Sequence, residues 1–322
     1  HNQDTAGPHA RTVADAAAVL GALVGVDARD PATAASAGKS FTDYTQFLDA
    51  NALHGARIGV ARATFTGYSE KTDAVFEAAL QVLRDAGAVL VDPADLPSAA
   101  TLAGSPAELT ILIYDFKRDM AAYLATRTGI ASKSLADLIA FNRAHRKAEL
   151  RFFQQELFEL ADSDPFTAQQ YADALQTAQT LSRTQGIDGA LAQFDVDAIV
   201  APTASPAFTA DLIDGDHFLG SSSQPAAVAG YPHITVPAGL ALGMPVGLSF
   251  FSTAWSEPKL LALAYAFEQA RGRRAVPTFQ ATLPLAQADR AKGGESGSAE
   301  LLAELLEGSG TPVRSGFRLH SL

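Results

Sequence analysis

The stretch from Gly55 to Asp92 constrains the fold more than any other part of this sequence. ARIGVAR, lying between Gly55 and the turn at Thr66 and Gly67, reads as a buried strand. Over residues 73–86 apolar side chains recur at helical spacing, at Val75, Ala79, Val82 and Leu83, and the pattern stops at Gly87. AVLVD then supplies a second short strand. Strand, helix and strand in such quick succession predict a β-α-β crossover, which joins parallel strands. Parallel strands are buried on both faces, so a chain with this unit must build helices above and below a sheet.

The composition allows such a core. Of 322 residues, 48% are hydrophobic and 18% charged, far from the polar, highly charged makeup of a disordered chain. Cysteine is absent, which excludes disulfides, thiol nucleophiles and cysteine-ligated metals. The formal net charge of -11 argues against nucleic acid as a partner, since phosphate binding needs clustered positive charge. No apolar run is long enough to span a bilayer, so no membrane contact is expected and a cytoplasmic location is. The chain starts at His1 instead of Met, so the expectation is processing or a lost front segment.

The remaining elements follow from local pattern. Gly7 and Pro8 punctuate a turn, Thr12 can cap, and Asp15 stands where a capping-box partner belongs, ahead of an Ala-rich helix. Arg11 and Asp15 are expected to form a local ion pair. Residues 109–124, 134–160 and 168–181 read as amphipathic helices, with Phe141, Phe152, Phe153 and Phe158 as core contacts. VDAIVAPT looks like a central parallel strand, HITVPAG and PVGLSFF like two further strands, and residues 259–271 like a helix capped near Ser256 and Pro258. Strands at both ends with helices between them predict an α/β class fold, a mixed and largely parallel β-sheet sandwiched by helices. Residues 1–280 are expected to form one domain portion, and 281–322 a weakly ordered Gly- and Ser-containing tail.

Chemistry is harder to find. Three serines follow Gly220, with His217 before them and His233 after, so Ser222, His233 and Asp216 form a remote Ser-His-Asp candidate. Such triads are set by geometry, and a polar loop before a buried helix explains the same residues. Asp211, Asp214 and Asp216 are spaced unevenly for a calcium loop, so no metal site is expected. No G-x-S-x-G elbow, phosphate loop, dinucleotide fingerprint or H-E-x-x-H occurs.

Several strings taken together carry a resemblance. QDTAGPHARTVADAAAVLGAL, ARIGVAR, YDFKRDMAAYLA, SLADLIAFNRAH, VDAIVAPT, SSSQPAAVAGYPHITVPAG and PVGLSFFSTAWSEPKLLALAYAFEQA follow one another in this chain. In that order they resemble the later blocks of the amidase signature family, in the branch that holds peptide amidase and proteins like the amidase component of the Asp-tRNA/Glu-tRNA amidotransferase. The resemblance covers about residues 1–280. It implies an amide hydrolase with a serine nucleophile, a second serine in a cis peptide that passes protons, and a lysine base, with no cofactor. A serine hydroxyl needs a base, and a buried lysine can be neutral enough to serve. Backbone N–H groups would hold the oxyanion, each contributing about 3 kcal/mol.

In the family the lysine and both serines precede the block that begins here at Asp4. The resemblance therefore assigns no catalytic residue in this chain and implies that the chain alone is inactive. Lys39, Lys71, Lys117, Lys133, Lys147, Lys259 and Lys292 match no position of the base and read as surface charges. Gly220, Ser221, Ser222, Ser223 and Gln224 match a loop bordering the amide pocket. Asp4, Thr5, Gly7 and Arg11 match a block that supports the nucleophile loop from beneath, and Tyr114 and Phe116 lie on a helix that would shape the pocket wall or the core. The expected partner is a small-molecule or peptide amide substrate, with no partner protein evident. A non-catalytic binding module, or pseudoenzyme, is the alternative.

Overall fold

The computed structural model describes residues 2–278, and the expected tail at 281–322 lies outside them. The crossover forms as its pattern requires. Strand β1 (Arg57–Val60) leads into a helix (Glu70–Asp85) whose first turn is capped by the Ser69 hydroxyl, and the chain returns through β2 (Val89–Val91), parallel to β1. β3 (Ala198–Pro202) runs parallel to β1 on its other side, and every one of its residues is buried. A hairpin then adds β4 (His233–Ala241) and β5 (Met244–Phe251), giving the order β2-β1-β3-β5-β4. Two of the four pairings are parallel and two antiparallel, so the sheet is mixed. The hairpin turns at Leu242 and Gly243, both at positive φ, as tight two-residue connections require. β4 is an edge strand, and its register slips between Pro237 and Gly239.

Helices cover both faces, and in chain order they are α1 (Val13–Leu23), α2 (the crossover helix above), α3 (Ala99–Ala103), α4 (Ala107–Ala125), α5 (Leu135–Ala144), α6 (Arg146–Glu149), α7 (Glu156–Asp162), α8 (Ala168–Ser182), α9 (Asp188–Phe194), α10 (Gln224–Ala229) and α11 (Glu257–Arg271). On one face Ile58, Val200, Leu248 and Phe250 meet Phe76, Leu80 and Leu83 of α2 and Leu260, Ala264 and Phe267 of α11 in one continuous core. Each large side chain buried this way contributes about 1.5–3 kcal/mol. On the other face Ile199, Ala201 and Phe251 pack under α3, α9 and α10 through Ala99, Ala190, Ala226 and Ala229. A π-helical turn at Arg183–Ile187 joins α8 to α9.

Between β2 and β3 the chain builds a helical layer with small cores of its own: Ile111 of α4 with Ala174 and Ala178 of α8, and Ile113 with Leu135, Ile139 and Ala161. The layer departs from the expected single run over 134–160. That run breaks into α5, α6 and α7, and residues 151–153 form bends between the last two. Phe152 and Phe153 therefore fall outside any helical stripe and lie exposed, and Phe141 points outward, its ring tilted against that of His145 at 4.1 Å between centres. Of the four phenylalanines expected in the core, only Phe158 packs inside, against Phe116 at 5.1 Å between ring centres.

The start of α1 is also simpler than expected. The Thr12 hydroxyl accepts from the Asp15 N–H at 3.0 Å, so Thr12 is the N-cap, but the reciprocal half of a capping box does not form. Arg11 makes no ion pair with Asp15; among the described residues its guanidinium has no carboxylate partner. No described helix is long and apolar enough to cross a membrane.

Candidate functional site

β3 ends at Pro202, and the chain leaves its carboxyl end in a long loop before returning to the same place. The return is closed by hydrogen bonds. Ser222 N–H donates to the Thr203 carbonyl at 3.0 Å, Ser205 N–H donates to that of Gly220 at 3.0 Å, and Ala204 pairs with Ser221 as an isolated bridge. In open α/β sheets the carboxyl ends of parallel strands are where ligands bind, because loops there diverge and leave a crevice. Gly220, Ser221, Ser222, Ser223 and Gln224 thus stand together at such an end, where the chain enters α10 at Gln224.

The five residues differ in what they offer. Gly220 has φ of +156, and a Cβ there would stand 3.0 Å from two ring carbons of Tyr68, so the loop lies flat on that tyrosine only because residue 220 has no side chain. Ser222 is buried and turns its hydroxyl toward the Thr203 carbonyl at 3.5 Å, a structural contact. Ser221 and Ser223 face each other at 3.3 Å between hydroxyls, and Ser223 is exposed. Gln224 donates through its amide nitrogen to Glu108 of α4 at 2.6 Å, tying the loop to the helical layer.

Beside the loop the sheet carries a hydroxyl cluster. The Thr203 hydroxyl lies 2.6 Å from that of Thr235 and 2.8 Å from that of Ser249. Gly247 makes room for them, since a Cβ there would meet both threonine hydroxyls within 2.6 Å. Reading the sequence misses this cluster, because Thr203 just past β3, Thr235 of β4 and Ser249 of β5 become neighbours only through the β3-β5-β4 pairing. Tyr68 and Glu108 are missed for the same reason. The Thr66–Gly67 turn marks a loop but says nothing of the loop it will touch.

Electrostatically the surroundings favour neutral groups. Burial pushes the Tyr68 hydroxyl up to about 12, the nearby Asp73 carboxylate adding to the effect. The Tyr231 hydroxyl, which donates to Asp188 at 2.7 Å, is likewise pushed up to about 12 by burial and by that carboxylate. Burial holds the His233 imidazole down at about 4, and its Nε2 has no hydrogen-bond partner while the ring stacks on Phe251 at 5.9 Å.

The Ser-His-Asp arrangement does not assemble: no hydrogen bond links Ser222, His233 and Asp216. The Asp211 carboxylate instead accepts from the N–H groups of Ile213 and Asp214, closing a turn. Among the described residues no group of three or more His, Asp or Glu is placed to hold a metal ion. Asp4, Thr5, Gly7 and Arg11 lie exposed on an extended lead-in to α1, which is anchored by Asn2 donating to Asp115 at 2.6 Å and to the Tyr171 hydroxyl at 2.8 Å. Tyr114 stacks on Tyr171 at 4.3 Å beneath the Arg118 guanidinium, so it belongs to the α4–α8 contact.

Known proteins resemble this chain in sequence and fold. The sequence profile of the family named Amidase matches residues 1–261. A probable amidase of Arabidopsis thaliana is 34% identical over 283 residues, 86% of this chain and 50% of that protein. A peptide amidase solved with the competitive inhibitor chymostatin is 48% identical with a TM-score of 0.81, over 86% of this chain and 56% of its own. The native peptide amidase from Stenotrophomonas maltophilia is 46% identical with a TM-score of 0.78, over 86% and 55%. The chain spans about half the length of these relatives. A profile that runs through most of the sequence, and relatives that share its fold, establish that this chain belongs to the amidase signature family.

Proposed function

We propose that the chain carries the later half of an amide hydrolase and is catalytically silent alone. The full-length protein would cleave a carbon–nitrogen amide bond through a serine nucleophile, a bridging serine in a cis peptide and a lysine base, without a metal or organic cofactor. One observation carries this reading. The family profile covers residues 1–261, yet among the described residues no serine hydroxyl has a lysine or histidine in hydrogen-bond reach.

The lysines support the same conclusion. A lysine that serves as a base must be buried enough to shed its proton. Among the described residues, Lys117 bonds the Asp162 carbonyl, Lys133 that of Arg127, Lys259 the Asp197 carboxylate, and Lys39 lies over the Trp255 ring. None of the described lysines is buried.

In this reading Gly220, Ser221, Ser222, Ser223 and Gln224 form one wall of the amide pocket, with the Thr203–Thr235–Ser249 hydroxyls beside it, and Asp4, Thr5, Gly7 and Arg11 support the site from below. A peptide amide is the substrate class favoured by the likeness to peptide amidase. The purified chain, given a C-terminally amidated peptide, is expected to release no ammonia. Release that disappears in Ser222→Ala would overturn the claim of silence. Joined in frame behind the leading half of the Stenotrophomonas maltophilia peptide amidase, the chain is expected to yield an active chimera. The second reading, a non-catalytic binding module, draws on the closed packing of both sheet faces. It predicts that the chain alone binds the amidated peptide saturably without turnover.

A further inference from the structure

A cleft of about 260 Å³ opens beside β4 and the end of α11. Val236 and Pro237 of the strand line it, together with Arg11 from the turn before α1 and Arg271 and Arg274 from the end of α11. Among the described residues that line it, the one carboxylate is that of Glu268, whose Oε1 already accepts the Val13 N–H at 3.0 Å. Three guanidinium groups thus face one engaged carboxylate in a chain whose net charge is -11.

The arginines are not equally engaged. Arg271 donates through Nε to the Ala238 carbonyl at 3.0 Å, leaving its terminal nitrogens over. Burial and the neighbouring Arg274 hold Arg271 below its ordinary value, though its guanidinium stays charged. Arg11 and Arg274 have no hydrogen-bond or ion-pair partner among the described residues. An arginine presents paired N–H donors in a fixed fork that matches carboxylate and phosphate oxygens two at a time. The cleft is small beside the usual range for organic ligands, so it suits an ion of few atoms.

We propose that this cleft binds a small oxyanion with two negative charges, a phosphate or a short dicarboxylate, gripped by Arg11 and Arg274 with Arg271 behind them. None of the residues lining the cleft belongs to the serine loop, and Arg11 is the one residue that it shares with the support of the amide site proposed above.

Isothermal titration of the purified full chain at low salt, with inorganic phosphate in one arm and succinate in the other, tests it. Saturable one-to-one binding of either dianion is expected, and which one binds tells tetrahedral from carboxylate recognition. R11Q and R274Q should each weaken binding about tenfold, the scale of losing a charge-assisted hydrogen bond. E268Q should strengthen it, since it keeps an oxygen for the Val13 N–H but removes the one opposing charge. R273Q, which changes an exposed neighbour outside the cleft, should leave it unchanged. Far-ultraviolet circular dichroism checks that each variant is folded. Binding of neither dianion, binding indifferent to both R11Q and R274Q, or an equal loss in R273Q would overturn the proposal.

Discussion

The two halves of the hydrophobic interior are built to different standards. Under α2 and α11 one sheet face forms a continuous core in which Phe76, Leu80, Leu83, Phe250 and Phe267 are almost completely buried. In the helical layer of α4 to α8 the buried groups come as small separate clusters, while Tyr123, Phe141, Phe152 and Phe153 remain exposed. A sheet face fixes its neighbours by hydrogen-bonded register, so helices laid on it find a single broad apolar surface. Helices packed only on helices bury a narrow stripe each, and the rest of their apolar residues stay outside.

The contrast can be broken at three points. Phe250→Ala should cost about 3–5 kcal/mol, because the cavity opens beneath two helices and a sheet that cannot collapse into it. Chemical denaturation read by fluorescence and by circular dichroism measures it, and a loss below about 1 kcal/mol would mean that this core is no tighter than the helical layer.

The second point is His233, a titratable ring inside the sheet region. The folded ring takes a proton only near pH 4, whereas the unfolded ring does so near 6.5. Between those values the unfolded state binds more protons, so stability falls as the pH drops through the window and is unaffected above it. The loss is expected to reach about 3 kcal/mol, at about 1.4 kcal/mol per pH unit. His233→Leu should flatten the acid limb of a plot of melting temperature against pH, and an unchanged limb would assign it to other groups. Smallest of all, Phe153→Ser should change stability by less than about 0.5 kcal/mol, as the residue is 78% exposed. A larger loss would show that the exposed phenylalanines pack after all.

Legibility followed the same division. β1, α2, β2 and β3 stand where their patterns put them, because strand runs and the crossover carry their own boundaries in Gly55, Gly87 and Pro202. The segment 134–160 did not, because the interruptions at His145 and at residues 151–153 carry no Pro or Gly to mark them in the sequence. The serine loop was visible as a string of small polar residues. What surrounds it was not: Tyr68, Glu108, Thr203, Thr235 and Ser249 lie far apart in the sequence and meet only through pairing and loop closure. Arg11 shows the opposite failure, since local spacing suggested a partner at Asp15 and the fold turned the guanidinium toward a cleft.

The slip of register in β4 bears on how the protein keeps to itself. An outermost strand offers a row of free amide and carbonyl groups on which another molecule's strand can grow. Pro237 has no N–H to offer, the irregularity between it and Gly239 breaks the spacing of the row, and Arg271 already occupies the Ala238 carbonyl. At the opposite margin β2 has only three residues to copy. Among the described residues, both borders of the sheet thus carry a device that shortens or interrupts the row of free backbone groups.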